Sequence, residues 1–420
     1  MYIKKTISDA AKIAVIGGGA AGMMAAAKAA ELGAAVTLFE RNDRMGKKLR
    51  ITGKGRCNVT NNCSFDEFFA NIPRNPRFLY AAYSNFSAAD TISFFEDAGV
   101  PLKTERGNRV FPVSDKAADI VSALLKKCRE NKCEIKNERV RHIIAENGII
   151  QGIETSSRKY DFDTVILCTG GRSYPLTGSD GDGYRMARDL GHKITEIVPS
   201  LVPIVEDGHL CSAMQGLSLK NVKLSIINNI SGKVIFNDFG ELMFTHFGLT
   251  GPLVLSASAH MRDIEKGKYT AEIDLKSALD EKTLDARIIS DFAKYNNKDF
   301  INSLDSLLPQ KMIETVVSLS GIDARKKVNS ITKAERKALV ELLKHFRIPL
   351  LKFRPIDEAI ITSGGVDVKE INPKTMESKL ISGLYFAGEI IDVDAYTGGF
   401  NLQIAFSTAA LAAENAAKSI

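Results

Sequence analysis

"KIAVIGGGAAGMMAAAKAAELGAAVTLFERN" occupies residues 12–42, and its texture changes twice. Lys12 to Ile16 is a short apolar run that reads as a buried strand. Ala20 to Leu32 is alanine-rich, with high helix propensity, and Gly33 falls where a helix-ending C′ glycine belongs. Ala35 to Phe39 is a second strand. Strand, turn, helix and strand make a βαβ unit, whose parallel strands call for a helix-covered sheet. The turn carries Gly17-x-Gly19-x-x-Gly22, and Glu40 ends the second strand 18 residues after Gly22. Gly17 suits a tight turn and Gly19 a close approach of a pyrophosphate to the main chain. Gly22 lets helix and strand pack closely, while the helix N-terminus faces the phosphates. Glu40 is placed to accept hydrogen bonds from adenosine ribose hydroxyls, and an acid there disfavours the 2′-phosphate of NADP. The plainer alternative is a glycine turn that only packs helix on sheet.

The chain has 420 residues, enough for two or three domains. At 45% hydrophobic and 25% charged residues it has the composition of an ordinary globular protein. The net charge of +6 is spread along the chain, which argues against a nucleic-acid binder with one basic face. No run of 18 apolar residues predicts a membrane-spanning helix. "MYIKKTISDAAKIAVIGGG" runs from basic residues into a short strand and glycines, unlike an export signal. A cytoplasmic location with six reduced cysteines is therefore expected. The oligomeric state is left open.

Along the chain, helical and short strand segments follow residue 77, and "KYDFDTVILCTGG" is a further buried strand entering a glycine turn. Residues 205–275 alternate apolar and polar with hairpin-like turns, the pattern of an antiparallel sheet. Residues 276 to about 347 are helical, and buried strand texture returns from Ile348. The expected fold is α/β: a two-part Rossmann-like domain (1–197 and 350–420) interrupted by a β-rich insertion (198–275) and a helical one (276–349). Such sheets bind ligands at the carboxyl ends of their strands.

Between Arg41 and Arg56 stand seven Lys or Arg residues against one acid, Asp43. Gly46, Gly53 and Gly55 interleave with Lys47, Lys48 and Lys54, a composition suited to wrapping a nucleotide pyrophosphate. A merely solvated loop is the bland alternative. Cys57 and Cys63 follow at C-x5-C spacing among Asn58, Thr60, Asn61 and Asn62, which are poor helix residues. Flavin disulfide reductases use C-x4-C on a helix and a second G-x-G-x-x-G, and this chain has no second fingerprint. Cys128 and Cys133 do have C-x4-C spacing, but at a helix-to-strand handover far from the fingerprint. All are read as structural thiols.

"GLYFAGEIIDVDAYTGGFNLQIAFSTAALAA" (383–413) is a buried strand ending at Gly388-Glu389, then a Gly398-Gly399 turn into a small-residue helix. An acid at such a strand end can bind ribityl hydroxyls. The N–H groups of Asn401, Leu402 and Gln403 in the helix's first turn can polarise the N1/O2 edge of a flavin.

With these segments in hand, a resemblance becomes specific. "GGGAAG", "GKKLRITGKGRCNVTN", "TGGRSYPLTGSDGDGYRMARDLGH", "FTHFGLTGP" and "LYFAGEIIDVDAYTGGFNLQIAFSTA" occur in collinear order across essentially the whole chain. Together they resemble the aminoacetone-oxidase-like, BaiN-type FAD-dependent flavoproteins. The resemblance implies FAD, a two-part FAD domain and an inserted region. By motif it implies FAD contacts from Ala20, Glu40, Arg41, Lys47, Gly53, Val140, Gly170, Glu389 and Leu402. Ala21, Asn58, Thr169, Gly171, Gly388 and Gly399 lie in the same motifs and complete the expected set with Gly17, Gly19, Gly22, Lys48 and Lys54.

Catalytic residues stay unassigned. His246 in "FTHFGLTGP" is the most conspicuous ionisable group of the insertion, though a core or turn histidine also fits. Tyr396, just before the Gly398-Gly399 turn, is a candidate to face the flavin, and Arg172 and Tyr174 are candidates to contact a substrate carbonyl or carboxylate. No metal-ligand cluster stands out among six histidines. The expected function is an FAD-dependent oxidoreductase acting on a small molecule through flavin N5, with NAD(P)H binding transiently to reduce an unsaturated carbonyl compound. The alternatives are an O₂-dependent amine oxidase of the aminoacetone type, and a flavin-containing RNA-binding or regulatory protein.

Overall fold

The computed structural model describes residues 10–418. Lys4 and Lys5, which bear on the export reading, lie outside the described residues. Two units emerge: Met1–Ser200 with Ile356–Ile420, and Leu201–Pro355.

At the centre of the first unit lies a parallel five-stranded sheet. Its order is Leu384–Phe386, Thr164–Leu167, Lys12–Ile16 (β1), Ala35–Phe39 (β2) and Glu134–Lys136. Both β1 and Thr164–Leu167 are buried almost throughout, as unbroken apolar strands covered on both faces should be. The helix Ala20–Glu31 (α1) buries Met23, Met24 and five alanines, and packs against the C-terminal helix Phe400–Lys418, itself rich in alanine. Small side chains on both helices let them approach closely. The strand supplied by the last segment, Leu384–Phe386, pairs in parallel with Thr164–Leu167, so the sheet is complete only once the distant C-terminal segment joins it.

Two glycines of the fingerprint do different work. Gly17 has φ 107, outside the range side-chain residues favour, and donates its N–H to the Phe39 carbonyl at 2.9 Å. Gly22 faces the Gly17 carbonyl so closely that any Cβ would be driven into that oxygen, whereas a Cβ on Gly19 meets nothing within 4 Å.

Where the first unit's two chain segments meet, Val198–Ser200 pairs antiparallel with Ile361–Ser363. Asp394, 1% exposed, accepts from the hydroxyls of Ser200 (2.9 Å) and Ser363 (3.2 Å), pinning both strands. Burial pushes the Asp394 carboxyl up to about 6, against the pull of the two serines and Arg74 and with the repulsion of Asp392.

The second unit is a closed antiparallel barrel. Its strands follow the order Ile204–Glu206, Gly248–Thr250, Lys233–Phe244, Ser218–Asn228, Tyr269–Asp274 and Phe346–Phe353, which pairs back to the first. The alternation at 205–275 pointed to an antiparallel sheet, and the long-range strand Phe346–Phe353 closes that sheet into a barrel. Phe346, Ile348 and Leu350 point inward, so the boundary expected at 349/350 falls inside a barrel strand. Helices Glu281–Lys294, Gln310–Ser320 and Lys333–Lys344 precede it in the chain and share one apolar cluster with the barrel.

Two outcomes follow. Gly22→Ala should destabilise the first unit by more than about 2 kcal/mol, through overpacking against a fixed carbonyl, while Gly19→Ala stays within about 1 kcal/mol of the parent; urea unfolding of both variants decides. For Asp394, a folded pKa above the unfolded one means stability present at low pH and lost as pH rises through about 6. Asp394→Asn should therefore gain up to about 3 kcal/mol over the parent at pH 7.5, with the gain vanishing towards pH 4. Equal stability differences at both pH values would contradict this.

Candidate functional site

The carboxyl ends of β1, β2, Thr164–Leu167 and Leu384–Phe386 each run into a turn, and the parallel pairing brings these turns to one edge of the sheet. Glu40, 8% exposed, accepts the Gly18 N–H at 2.7 Å and both the N–H and side-chain amide of Asn42, each at 2.7 Å. The Gly46 N–H then donates to the Gly18 carbonyl at 2.8 Å, folding the basic loop back over the glycine turn. Arg41 turns away to Asp180 (2.8 Å) and Asp182 (2.9 Å). Arg139 joins the same acids, which sets the buried Val140 beside this cluster.

Further along the edge, Lys48 donates to Glu389 at 2.6 Å and to the Ser173 hydroxyl at 2.7 Å. Glu389 also accepts from the Thr362 N–H at 2.9 Å and from Ser173 at 3.2 Å. Thr362 in turn accepts the N–H groups of Arg172 and Ser173 through its hydroxyl. The remaining turns touch one another. A Cβ on Gly388 would sit 2.8 Å from that of Ala21, one on Gly171 would lie 2.7 Å from Glu389, and one on Gly399 would lie 2.9 Å from the Asn58 amide oxygen. Gly170, with φ 75, makes the turn after Thr169. The Asn58 amide oxygen and the Thr169 hydroxyl are buried and have no hydrogen-bond partner among the described residues. Such orphans are rare and mark places where a further polar group fits.

Several of the expected residues lie outside this network. Lys47 pairs with Asp43 at 2.7 Å and Lys54 is exposed, so of the three loop lysines only Lys48 enters this network. Successive helix positions are about 100° apart, so Lys47 and Lys48 on the short helix Lys47–Ile51 cannot both face inward. Gly53 is exposed, in left-handed backbone beside Lys54. In the last helix the Gln403 N–H is spent on the Gly399 carbonyl, and its fully buried side chain bonds Thr60, Ser407 and the Phe86 carbonyl. The Asn401 side chain holds Ala395 and Tyr396, leaving the partly buried Leu402 and the first-turn main chain as what this helix end offers. Asn42, Ser173 and Thr362 belong to the site but were not foreseen. Thr362 stands in "ITSGGV", another strand running into glycines, and that pattern was the available signal.

Of the catalytic candidates, Arg172 is exposed and Tyr174 half-buried with φ 53, both on the loop opening at Gly170-Gly171. The Tyr396 N–H donates to Asn71 at 3.0 Å. His246 belongs to the second unit, exposed in the turn before Gly248–Thr250, its ring edge-on to Phe247. Also on the second unit, Glu281, Glu341 and His345 bring ligand atoms within 4.8 Å of one another, but His345 already bonds Glu272 at 3.0 Å. Cys57 and Cys63 are free thiols; burial pushes Cys57 up to about 12 and raises Cys63, which suits inert structural thiols.

Comparison with known proteins places this geometry. The family described as HI0933-like protein Rossmann domain matches residues 11–415. The chain is 30% identical to a 3-dehydro-bile acid delta(4,6)-reductase of Clostridium scindens, over 97% of this chain and 99% of that protein. It is 31% identical to a ribosomal RNA dihydrouridine synthase of Haemophilus influenzae, over 94% and 96%. The 3-ketosteroid delta1-dehydrogenase of Sterolibacterium denitrificans shares the fold, with a TM-score of 0.52 at 14% identity over 97% of this chain and 99% of that one. The chain belongs to the HI0933-like Rossmann family and is an FAD-dependent oxidoreductase.

Proposed function

We propose that this enzyme reduces a carbon–carbon double bond conjugated to a carbonyl, taking its electrons from NAD(P)H. The observation that carries the reading is chemical. The two relatives are named for a steroid and for a nucleobase, yet dihydrouridine formation and delta(4,6) reduction of a 3-oxo steroid both saturate a double bond conjugated to a carbonyl.

The first unit's residues fit the cofactor. Glu40 grips the adenosine ribose, with Asn42 and Gly18 holding its carboxylate in place. Gly19 leaves room for the pyrophosphate, and the orphaned oxygens of Asn58 and Thr169 offer acceptors to the cofactor's N–H and O–H groups. FAD, when bound, supplies the hydride. Arg172, Tyr174 and Tyr396 are assigned to the substrate carbonyl, where a donor draws electron density off the double bond. Lys48 and Glu389 hold the strand ends that frame the site.

A second reading differs in substrate. Two relatives, including one of Escherichia coli at 29% identity, are named ribosomal RNA dihydrouridine synthases, and Lys54 and Arg44 of the basic loop stay exposed. Under it the double bond is that of a uridine in RNA. RNA affinity falling steeply with salt, together with dihydrouridine formed in added ribosomal RNA, would favour this reading over a small-molecule substrate.

Two measurements test the proposal. Glu40→Ala should retain FAD about 10- to 100-fold less tightly, the worth of charge-assisted hydrogen bonds; acid-released cofactor that chromatographs as FMN would refute the adenosine assignment. Anaerobic mixing with NADH or NADPH should bleach the flavin absorbance, and an unsaturated carbonyl compound should restore it. Bleaching by aminoacetone, and by neither nicotinamide, would make the enzyme an oxidase instead.

A further inference from the structure

The helix Ala117–Glu130 ends in a Schellman turn. Lys132 is left-handed (φ 61), its N–H donates to the Arg129 carbonyl at 3.0 Å, and the Cys133 N–H donates to the Cys128 carbonyl at 2.9 Å. These two bonds define the motif, which habitually brings the side chains at these two ends of the turn together as an apolar pair. Here both are cysteines. The 2.9 Å contact, with standard covalent geometry, keeps their Cα atoms within about 7 Å, a separation disulfides span. Both sulfurs face α1: Cys128 donates to the Met23 carbonyl at 3.3 Å and Cys133 to the Ala26 carbonyl at 3.2 Å. Both are free thiols.

Their surroundings differ. Cys128 is fully buried, whereas Cys133 is half-buried and lines a cavity of about 690 Å³ together with Arg44, Arg50 and Arg129. The one acid of that cavity, Asp43, is paired with Lys47. The neighbouring thiol holds Cys133 below the ordinary thiol range, and the same neighbour together with burial pushes Cys128 above it. A half-buried cysteine at the wall of a cavity, beside a fully buried one, matches the pairing of an attacking thiol and a resolving thiol. By contrast, burial raises Cys57, Cys168 and Cys211.

We propose that Cys128 and Cys133 form a redox-responsive dithiol, closed to an intrachain disulfide by peroxides and reopened by dithiols. The Cys133 thiolate attacks the peroxide O–O bond, which breaks to release hydroxide and leaves a sulfenic acid on Cys133. The Cys128 sulfur then displaces that hydroxyl, which leaves as water with the Cys128 proton. The hydroxide takes up the proton that Cys133 gave up on ionising, so two electrons pass from the two sulfurs to hydrogen peroxide, which ends as two waters. A dithiol reverses the step by exchange.

The test uses full-length protein with its flavin bound, treated with a small excess of hydrogen peroxide. Thiol titration after denaturation should fall by two from the six cysteines of the chain. Peptide mapping should place the link between Cys128 and Cys133, and dithiothreitol should restore both thiols. Phenylarsine oxide, which bridges adjacent thiols, should bind the untreated protein but neither Cys133→Ser nor Cys128→Ala. Cys133→Ser should keep its remaining thiols under peroxide, and Cys128→Ala should leave a sulfenic acid on Cys133 that dimedone traps. A disulfide mapped to Cys57 and Cys63, an undiminished titration in the parent, or oxidation unchanged in Cys133→Ser would overturn the proposal.

Discussion

The Lys48–Glu389 ion pair, 2.6 Å long and about a fifth exposed at each partner, joins residues 341 positions apart. A half-buried charge is costly unless it is paired and hydrogen-bonded. Ser173 and the Thr362 N–H complete the shell of Glu389. Four stretches of chain meet there: the basic loop, the loop after Thr164–Leu167, the strand Ile361–Ser363 and the end of Leu384–Phe386. The frame of the candidate site is therefore an outcome of satisfying one carboxylate.

Glu40 shows the same logic at the other end of the edge. Its two oxygens organise Gly18 and Asn42, so the acid we propose for the ribose also shapes the turn beside it. Asn58 and Thr169 break the pattern, since their oxygens are buried without partners in a region where nearly everything else is paired.

The cysteines divide by environment. Cys57 was conspicuous because it lies in a glycine- and lysine-rich loop, yet burial removes its reactivity. Cys128 and Cys133 lie at a helix-to-strand handover that is a hydrogen-bonded turn, which brings the two residues together at its ends. Spacing of cysteines along the chain is a weak guide because the backbone between them decides whether the sulfurs meet.

Residues 12–40 determined the βαβ unit by themselves, since the glycine spacing, the alanine-rich helix and the acid ending the second strand are local features with local causes. The same holds for the strand and glycine turn at 384–389 and for the alternation that builds the second unit's hairpins. Tertiary structure alone decided which lysine of a basic loop turns inward, because helical phase separates Lys47 from Lys48. It also decided that Gln403 is spent inside the protein, since its partners Thr60 and Phe86 are remote in sequence. Closure of the barrel by Phe346–Phe353 depended on pairings across more than a hundred residues of chain. Such pairings are selected by burial and by the satisfaction of main-chain hydrogen bonds, and neither is written in any local stretch.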